Sequence, residues 1–287
     1  MNININDVSE TALLTLYSHA IDAQTKDPIL NDKSSIKSVQ LLNEELAKSD
    51  KKLHQRLSKG KIDRNGVIHI AIRAKRYDKY ISDFIKKYPK AKIVNIGCGL
   101  DNRFERIDNG EIEFFDLDLP DIIEIKKQLF NETNRFHFIS QSVFDFSWIE
   151  NIVSIAKEEI LFIAEGVFMY CREEDVKSLF LILQEKFPGS EMVCEVFNSM
   201  WLKGWLKKLM NFKMQKELHL GKDATFHFGI RDSNEMESWN EGINLIDDWS
   251  YFDSDEKKLG WLKIFRHIKL FRKTQWSVHY KLNKYPK

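Results

Sequence analysis

Residues 91–104, AKIVNIGCGLDNRF, decide how the rest of the chain is read. An apolar, β-branched run feeds directly into Gly97-Cys98-Gly99, with Asp101 and Arg103 just behind. A strand that ends in Gly-x-Gly and turns into a helix lets a ligand approach the backbone closely, because a side chain at either glycine would stand in the way. The dinucleotide fingerprint requires a third glycine, and Asn102 stands at its position. On its own the turn admits three readings: a dinucleotide loop, another nucleotide loop, or an ordinary tight turn.

The next strand narrows the choice. The segment EIEFFDLDLP, residues 111–120, reads as a strand closed by Pro120, which places Asp116 and Asp118 about 20 residues beyond Gly97, where an acid meets a ribose. Asp118 is the candidate, because it stands at the carboxyl edge of the strand, where sheets of this kind bind ligands. Its ordinary structural alternative is a helix cap, and that of Asp116 is an exposed strand position. A glycine turn and a ribose acid without a pyrophosphate fingerprint suit an adenosyl cofactor such as S-adenosylmethionine.

Composition sets the limits of this reading. The chain has 287 residues, with 44 Lys and Arg against 43 Asp and Glu. No global field therefore favours nucleic acid or an anionic membrane, and any partner is selected by a local site. Cys98, Cys171 and Cys194 lack metal-ligand spacing, so no metal is expected and a reducing cytoplasm is. No apolar run approaches the roughly 20 residues needed to cross a bilayer, and the N-terminus has no signal-like apolar stretch.

Periodicity organises the chain as one domain. Residues 1–90 read as a helical cap, with helical patterns over 9–57, broken near Pro28, and over 67–88, ended by Pro89. Strands and helices then alternate through residues 91–198, the pattern of a mostly parallel sheet flanked by helices. Residues 199–240 read as an inserted lid in which Trp201, Trp205, Leu209 and Phe212 have helical spacing and pack on the core, the alternative being a basic amphipathic membrane helix with lysines between them. Residues 241–287 offer a strand at GINLIDDWSYF, an amphipathic helix over 259–271 and an alternating final strand at TQWSVHYKLN.

Several motifs in order resemble those of the leucine carboxyl methyltransferase superfamily, which includes phosphatase-methylating enzymes and bacterial polyketide-type O-methyltransferases. They are Arg73, IVNIGCGLDNRFERI, FDLDLPDIIEIKK, QSVFDFSWI and LFIAEGVFMYC. The resemblance spans about residues 12–198 and implies a class I methyltransferase: a Rossmann-like α/β fold with a seven-stranded sheet, an N-terminal cap and S-adenosylmethionine as cofactor. Carried over by position, Arg73 holds the cofactor's carboxylate. Gly97 and Gly99 pass the backbone along its methionyl part, Asp118 and Leu119 meet the ribose, and Glu165 and Gly166 lie beside the sulfonium and amino end. Ser142, Val143 and Phe144 meet the adenine, although the family usually has an acid after the strand RFHFIS, where Ser142 stands. His19 likewise stands near a position often held by arginine.

The reaction then expected is methyl transfer to a carboxylate or hydroxyl of a small molecule or peptide. Such an in-line displacement needs alignment and water exclusion rather than a covalent intermediate. Tyr170 is the candidate to orient the acceptor, with a packed aromatic as its structural alternative, and His227 and Arg231 are further pocket candidates. Two alternatives stay open: a protein that binds the adenosyl cofactor without turnover, and an NAD-dependent oxidoreductase. Oligomeric state and the acceptor's identity are not readable from the sequence.

Overall fold

Residues 160–164 are apolar on both faces of the strand, residues 92–96 place Ile93, Val94 and Ile96 across both faces, and each segment is buried at all five positions. Only the centre of a sheet covered by helices on both sides offers such an environment. The computed structural model, which describes residues 7–155, 158–208 and 225–284, places them side by side as β1 (Lys92–Ile96) and β4 (Ile160–Ala164). Around them lie β2 (Glu113–Asp118), β3 (Phe136–Ser140), β5 (Ser190–Phe197), β6 (Ile243–Ser250) and β7 (Gln275–Leu282), in the order β3-β2-β1-β4-β5-β7-β6. The first five strands are parallel, while β7 runs antiparallel to both β5 and β6.

The twofold alternation along the central strands divides the core. Val94, Ile96, Phe162 and Ala164 face one layer with Trp148, Leu179 and Phe180, from α7 (Ser147–Ile155) and α8 (Glu173–Lys186). Ile93, Leu161 and Ile163 face the other, against Tyr77, Ile81 and Phe84 of α4 (Arg64–Lys87). The chain reaches β1, runs outward to β2 and β3, then returns to β4 on the other side of β1. That reversal opens a crevice beyond the carboxyl ends of β1 and β4, where open α/β sheets take their ligands.

The cap is made by α1 (Asp7–Ala23), α2 (Lys33–Lys48), α3 (Lys52–Ser58) and α4. Leu13, Leu16, Leu42, Leu46, Leu53 and Leu57 form one apolar cluster with Leu100, Met169, Phe197 and Phe226, so the cap roofs the strand ends. Asp32 and Asp63 cap α2 and α4 by accepting the backbone N–H groups of Ser35 and Gly66.

Two expectations change. The segment expected as an amphipathic helix over 259–271 is a 3₁₀ winding, Lys257–His267, interrupted at Gly260 (φ 54°, ψ −130°), and then a short helix, Lys269–Arg272. With the helix broken, its apolar residues share no buried stripe, and Trp261, Ile264 and Phe271 are exposed. In the insertion, Trp201 packs against the cap cluster, whereas Trp205 is 70% exposed rather than part of a core face. Leu209, Phe212 and the rest of 209–224 lie outside the described residues.

Candidate active site

A cavity of about 670 Å³ lies beneath the cap at the crevice. Its wall contains every candidate site residue carried over by position: Arg73, Gly97, Gly99, Asp118, Leu119, Ser142, Val143, Phe144, Glu165, Gly166 and Tyr170.

The glycine turn forms its floor. Gly97 and Gly99 have φ values of +63° and +55°, which a side chain tolerates poorly, and a Cβ at Gly97 would come within 2.4 Å of Val167. The N–H groups of Gly97 and Cys98 donate to the Leu117 carbonyl, tying the turn to the end of β2. The Gly99 N–H donates to Asp118 Oδ2 at 2.8 Å and the Leu119 N–H to Oδ1 at 2.7 Å. Burial raises the Asp118 pKa, and these two N–H groups work against that rise. A carboxylate has about four acceptor sites, so two remain for a ligand's hydroxyls.

Below the turn lies Lys126 of α6 (Pro120–Leu129), whose side chain is fully buried. Its ammonium donates to the Asp101 carbonyl at 2.7 Å and the Gly99 carbonyl at 3.3 Å, and forms an ion pair with Asp116 Oδ2 at 2.7 Å. Asp116 is also fully buried, with its other oxygen accepting from the Asn95 amide at 2.7 Å. It is an anchor for the turn's lysine, not an exposed strand residue.

Glu165 closes the wall at the end of β4. Arg73 Nε donates to its Oε1 at 2.7 Å, and Arg103 Nη2 donates to its Oε2. Burial pushes the Glu165 pKa up, but Arg103 and Arg73 outweigh it and hold the carboxyl below its ordinary range. From Arg103 the ion pairs continue to Asp78 and Asp101, and from Arg106 to Asp78, Asp101 and Asp32. His19 Nδ1 joins at 3.2 Å from Asp32 and 3.7 Å from Asp101. His19, Asp32 and Asp101 are spaced as metal ligands could be, but the Arg106 guanidinium already bridges the two carboxylates at 3.0 and 2.7 Å.

Two groups were not anticipated, one behind this wall and one in it. Glu195, buried in β5, accepts from Arg73 Nη1 at 3.2 Å; a glutamate inside the apolar run MVCEVF carried the same signal as Glu165. His69 lines the cavity one helical turn before Arg73, and burial, reinforced by the Arg73 charge, pulls its pKa to about 4. His227 and Arg231, by contrast, are exposed and outside the cavity, with His227 paired to Thr225 Oγ1 at 3.0 Å. Phe226 takes the inward place beside Tyr170, their ring centroids 5.2 Å apart.

This wall fits S-adenosylmethionine. Asp118 retains lone pairs for ribose hydroxyls, the glycine turn leaves backbone open, and the Glu165 carboxylate lines the cavity at the end of β4. His19 Nε2, buried with no partner among the described residues, is a further unsatisfied polar atom in the wall. Ser142, Val143 and Phe144 form the wall beyond β3; there the Ser142 hydroxyl accepts the Phe144 N–H at 3.3 Å.

Comparison with known proteins agrees. The leucine carboxyl methyltransferase family model matches residues 12–184. The tetracenomycin polyketide synthesis O-methyltransferase TcmP of Streptomyces glaucescens is 26% identical over 253 residues, covering 88% of this chain and 86% of that protein. The S-adenosyl-L-methionine-dependent methyltransferase dpfgK of Gibberella zeae is 24% identical over 254 residues, covering 84% and 81%. Among solved structures, a DUF574 family protein from Streptomyces avermitilis shares the fold, with a TM-score of 0.54 and 10% identity over 95% of this chain and 97% of that one.

Proposed function

The chain belongs to the leucine carboxyl methyltransferase family and is an S-adenosylmethionine-dependent methyltransferase, and from that premise we propose that it methylates a carboxylate oxygen of a small molecule. The bound cofactor supplies a methyl group on a sulfonium, already activated toward displacement. The residues of this chain align the acceptor, exclude water and hold protons in place.

The observation that carries the choice of carboxylate is the protonation of the groups around the acceptor end. Burial pushes Tyr170 up to about 12 and the Cys98 thiol well up, so both keep their protons at neutral pH. His69, held near 4, is neutral but too weak a base to draw a proton from an alcohol or phenol. His19 is turned toward Asp32 and Asp101 behind the glycine turn, at the cofactor's end. An acceptor that arrives as an anion needs no base, and the Tyr170 hydroxyl and neutral His69 can orient it by hydrogen bonds. The relative TcmP is an O-methyltransferase, which supports an oxygen acceptor.

The chemistry of the product tests this. After incubation with S-adenosylmethionine and a panel of aromatic and aliphatic acids and phenols, mild alkali should release the transferred methyl as methanol, because an ester hydrolyses. A product whose methyl resists alkali is an ether and overturns the carboxylate assignment. For the cofactor, Asp118→Ala and Arg73→Ala should each weaken S-adenosylmethionine binding by about 1–3 kcal/mol, the range for losing a charged hydrogen-bond partner. Calorimetric titration of the folded variants measures it, and unchanged affinity removes these residues from the cofactor site.

A further inference from the structure

The acceptor side of the cavity has a charge that methyl transfer itself does not require. Residues 51–61, KKLHQRLSKGK, hold five lysines and arginines and no acid. Their segment is α3 and the turn leading to α4. Leu53 and Leu57 of this helix are buried in the cavity wall, while Arg56 and Lys61 line the cavity and also a second, smaller depression of about 230 Å³. Among the described residues, that depression is bounded by Lys52, Gln55, Arg56, Lys59 and Lys61. Arg56 and Lys61 thus stand where the apolar cavity opens onto a basic surface.

A run of lysines is most often just a solvated helix face, and three observations set this one apart. Among the described residues, no ion pair engages Arg56, Lys59 or Lys61, although Lys51 beside them is paired to Glu10 at 2.8 Å. Of the acids flanking the segment, Asp50 and Asp63, Asp63 lines the cavity, but its carboxylate is engaged in capping α4, accepting the Gly66 N–H at 2.9 Å. The wall between these cations and the strand ends is apolar, with Leu14, Leu57, Ile62 and Phe226 along it.

We propose that the acceptor is an amphipathic organic anion: an apolar body along Leu14, Leu57, Ile62 and Phe226, and a second anionic group, distinct from the methylated oxygen, held at the cavity mouth by Arg56 and Lys61. This rests on the methyltransferase reading. The reacting oxygen has to reach the methyl group near Gly97, Glu165 and Tyr170 at the strand ends, so a charge met by α3 belongs to the opposite end of the same molecule. The two cations act on that end by charge-assisted hydrogen bonding and favour ligands with an anion at one end of an apolar frame.

Two dyes that share an apolar frame test the inference: 8-anilinonaphthalene-1-sulfonate, and N-phenyl-1-naphthylamine, which lacks the sulfonate. Each is titrated by fluorescence into protein saturated with S-adenosylhomocysteine. The sulfonate dye should bind once per chain and be displaced competitively by the neutral one. The double variant Arg56→Gln, Lys61→Gln should lose about tenfold in affinity for the sulfonate dye, the scale of one charged hydrogen bond. It should bind the neutral dye and S-adenosylhomocysteine as before, and Arg56→Lys should keep most of the sulfonate affinity. Equal losses for both dyes, or no loss for the sulfonate dye, overturn the inference. If the parent protein fails to bind S-adenosylhomocysteine, the methyltransferase reading itself is at fault, an outcome distinct from dyes that do not discriminate.

Discussion

Lys126→Met should destabilise the folded protein by about 3–5 kcal/mol, the cost of removing one partner from a buried ion pair. Met keeps most of the side chain's volume, so the loss is electrostatic rather than a cavity. Asp116 loses its counter-charge, and the carbonyls of Gly99 and Asp101 lose a donor at the same time. Burial already raises the Asp116 pKa, and removing the lysine that opposes it leaves the buried carboxylate without its counter-charge. Urea unfolding measures the loss. The double variant Lys126→Met, Asp116→Asn should recover part of it, since the stranded charge is gone. A loss under about 1 kcal/mol would mean the pair sits in a far more water-like environment than its complete burial indicates.

Arg103→Leu should cost a comparable amount, about 3–5 kcal/mol, because its guanidinium is 2% exposed and pairs with Asp78, Asp101 and Glu165 together. The consequences reach the cavity as well, since Glu165 would keep Arg73 as its remaining partner. The variant's dependence on pH separates lost pairing from lost packing. Burial pushes the Asp101 pKa up, but Arg106 and Arg103 together hold it far below its ordinary value of 3.8. A carboxyl lowered in the folded state contributes stability that is complete well above 3.8 and disappears as pH falls through and below that value. Thermal melts from about pH 6 down to about pH 3 should therefore show a shallower decline for Arg103→Leu than for the parent protein. Parallel curves would assign the loss to packing alone.

These two residues differ in how far the sequence announced them. Arg103 stood in the quoted turn, but two of its three carboxylate partners are 25 and 62 residues away, and no local pattern specifies them. Lys126 is an ordinary member of a helical pattern; only the packing of α6 beneath the glycine turn turns it into a buried anchor. Gly97, Asp118 and Glu165 were legible because each is a polar or glycine position at the end of an apolar strand, where burial demands a reason. Glu195 satisfied the same rule and was passed over. His69 carried no such mark, because a histidine among the polar positions of a helix becomes a cavity residue only when that helix is laid across strand ends. His227 and Arg231 went the other way. In an extended segment successive side chains alternate, so the burial of Phe226 and Phe228 turns His227 outward.

The sequence by itself determined the order of strands and helices, the glycine turn with its acid at the next strand end, and the motifs that place the chain in its family. All of these are written in short runs, where hydrophobic period and backbone freedom act over a few residues. The tertiary structure alone decided which charges are spent on one another and which remain for a ligand. Asp101, Arg103 and Arg106 are consumed in a buried network, and Arg56 and Lys61 are left without a carboxylate partner among the described residues. Pairing depends on distances across the fold, and residues far apart in the chain acquire those distances only when the cap closes over the sheet.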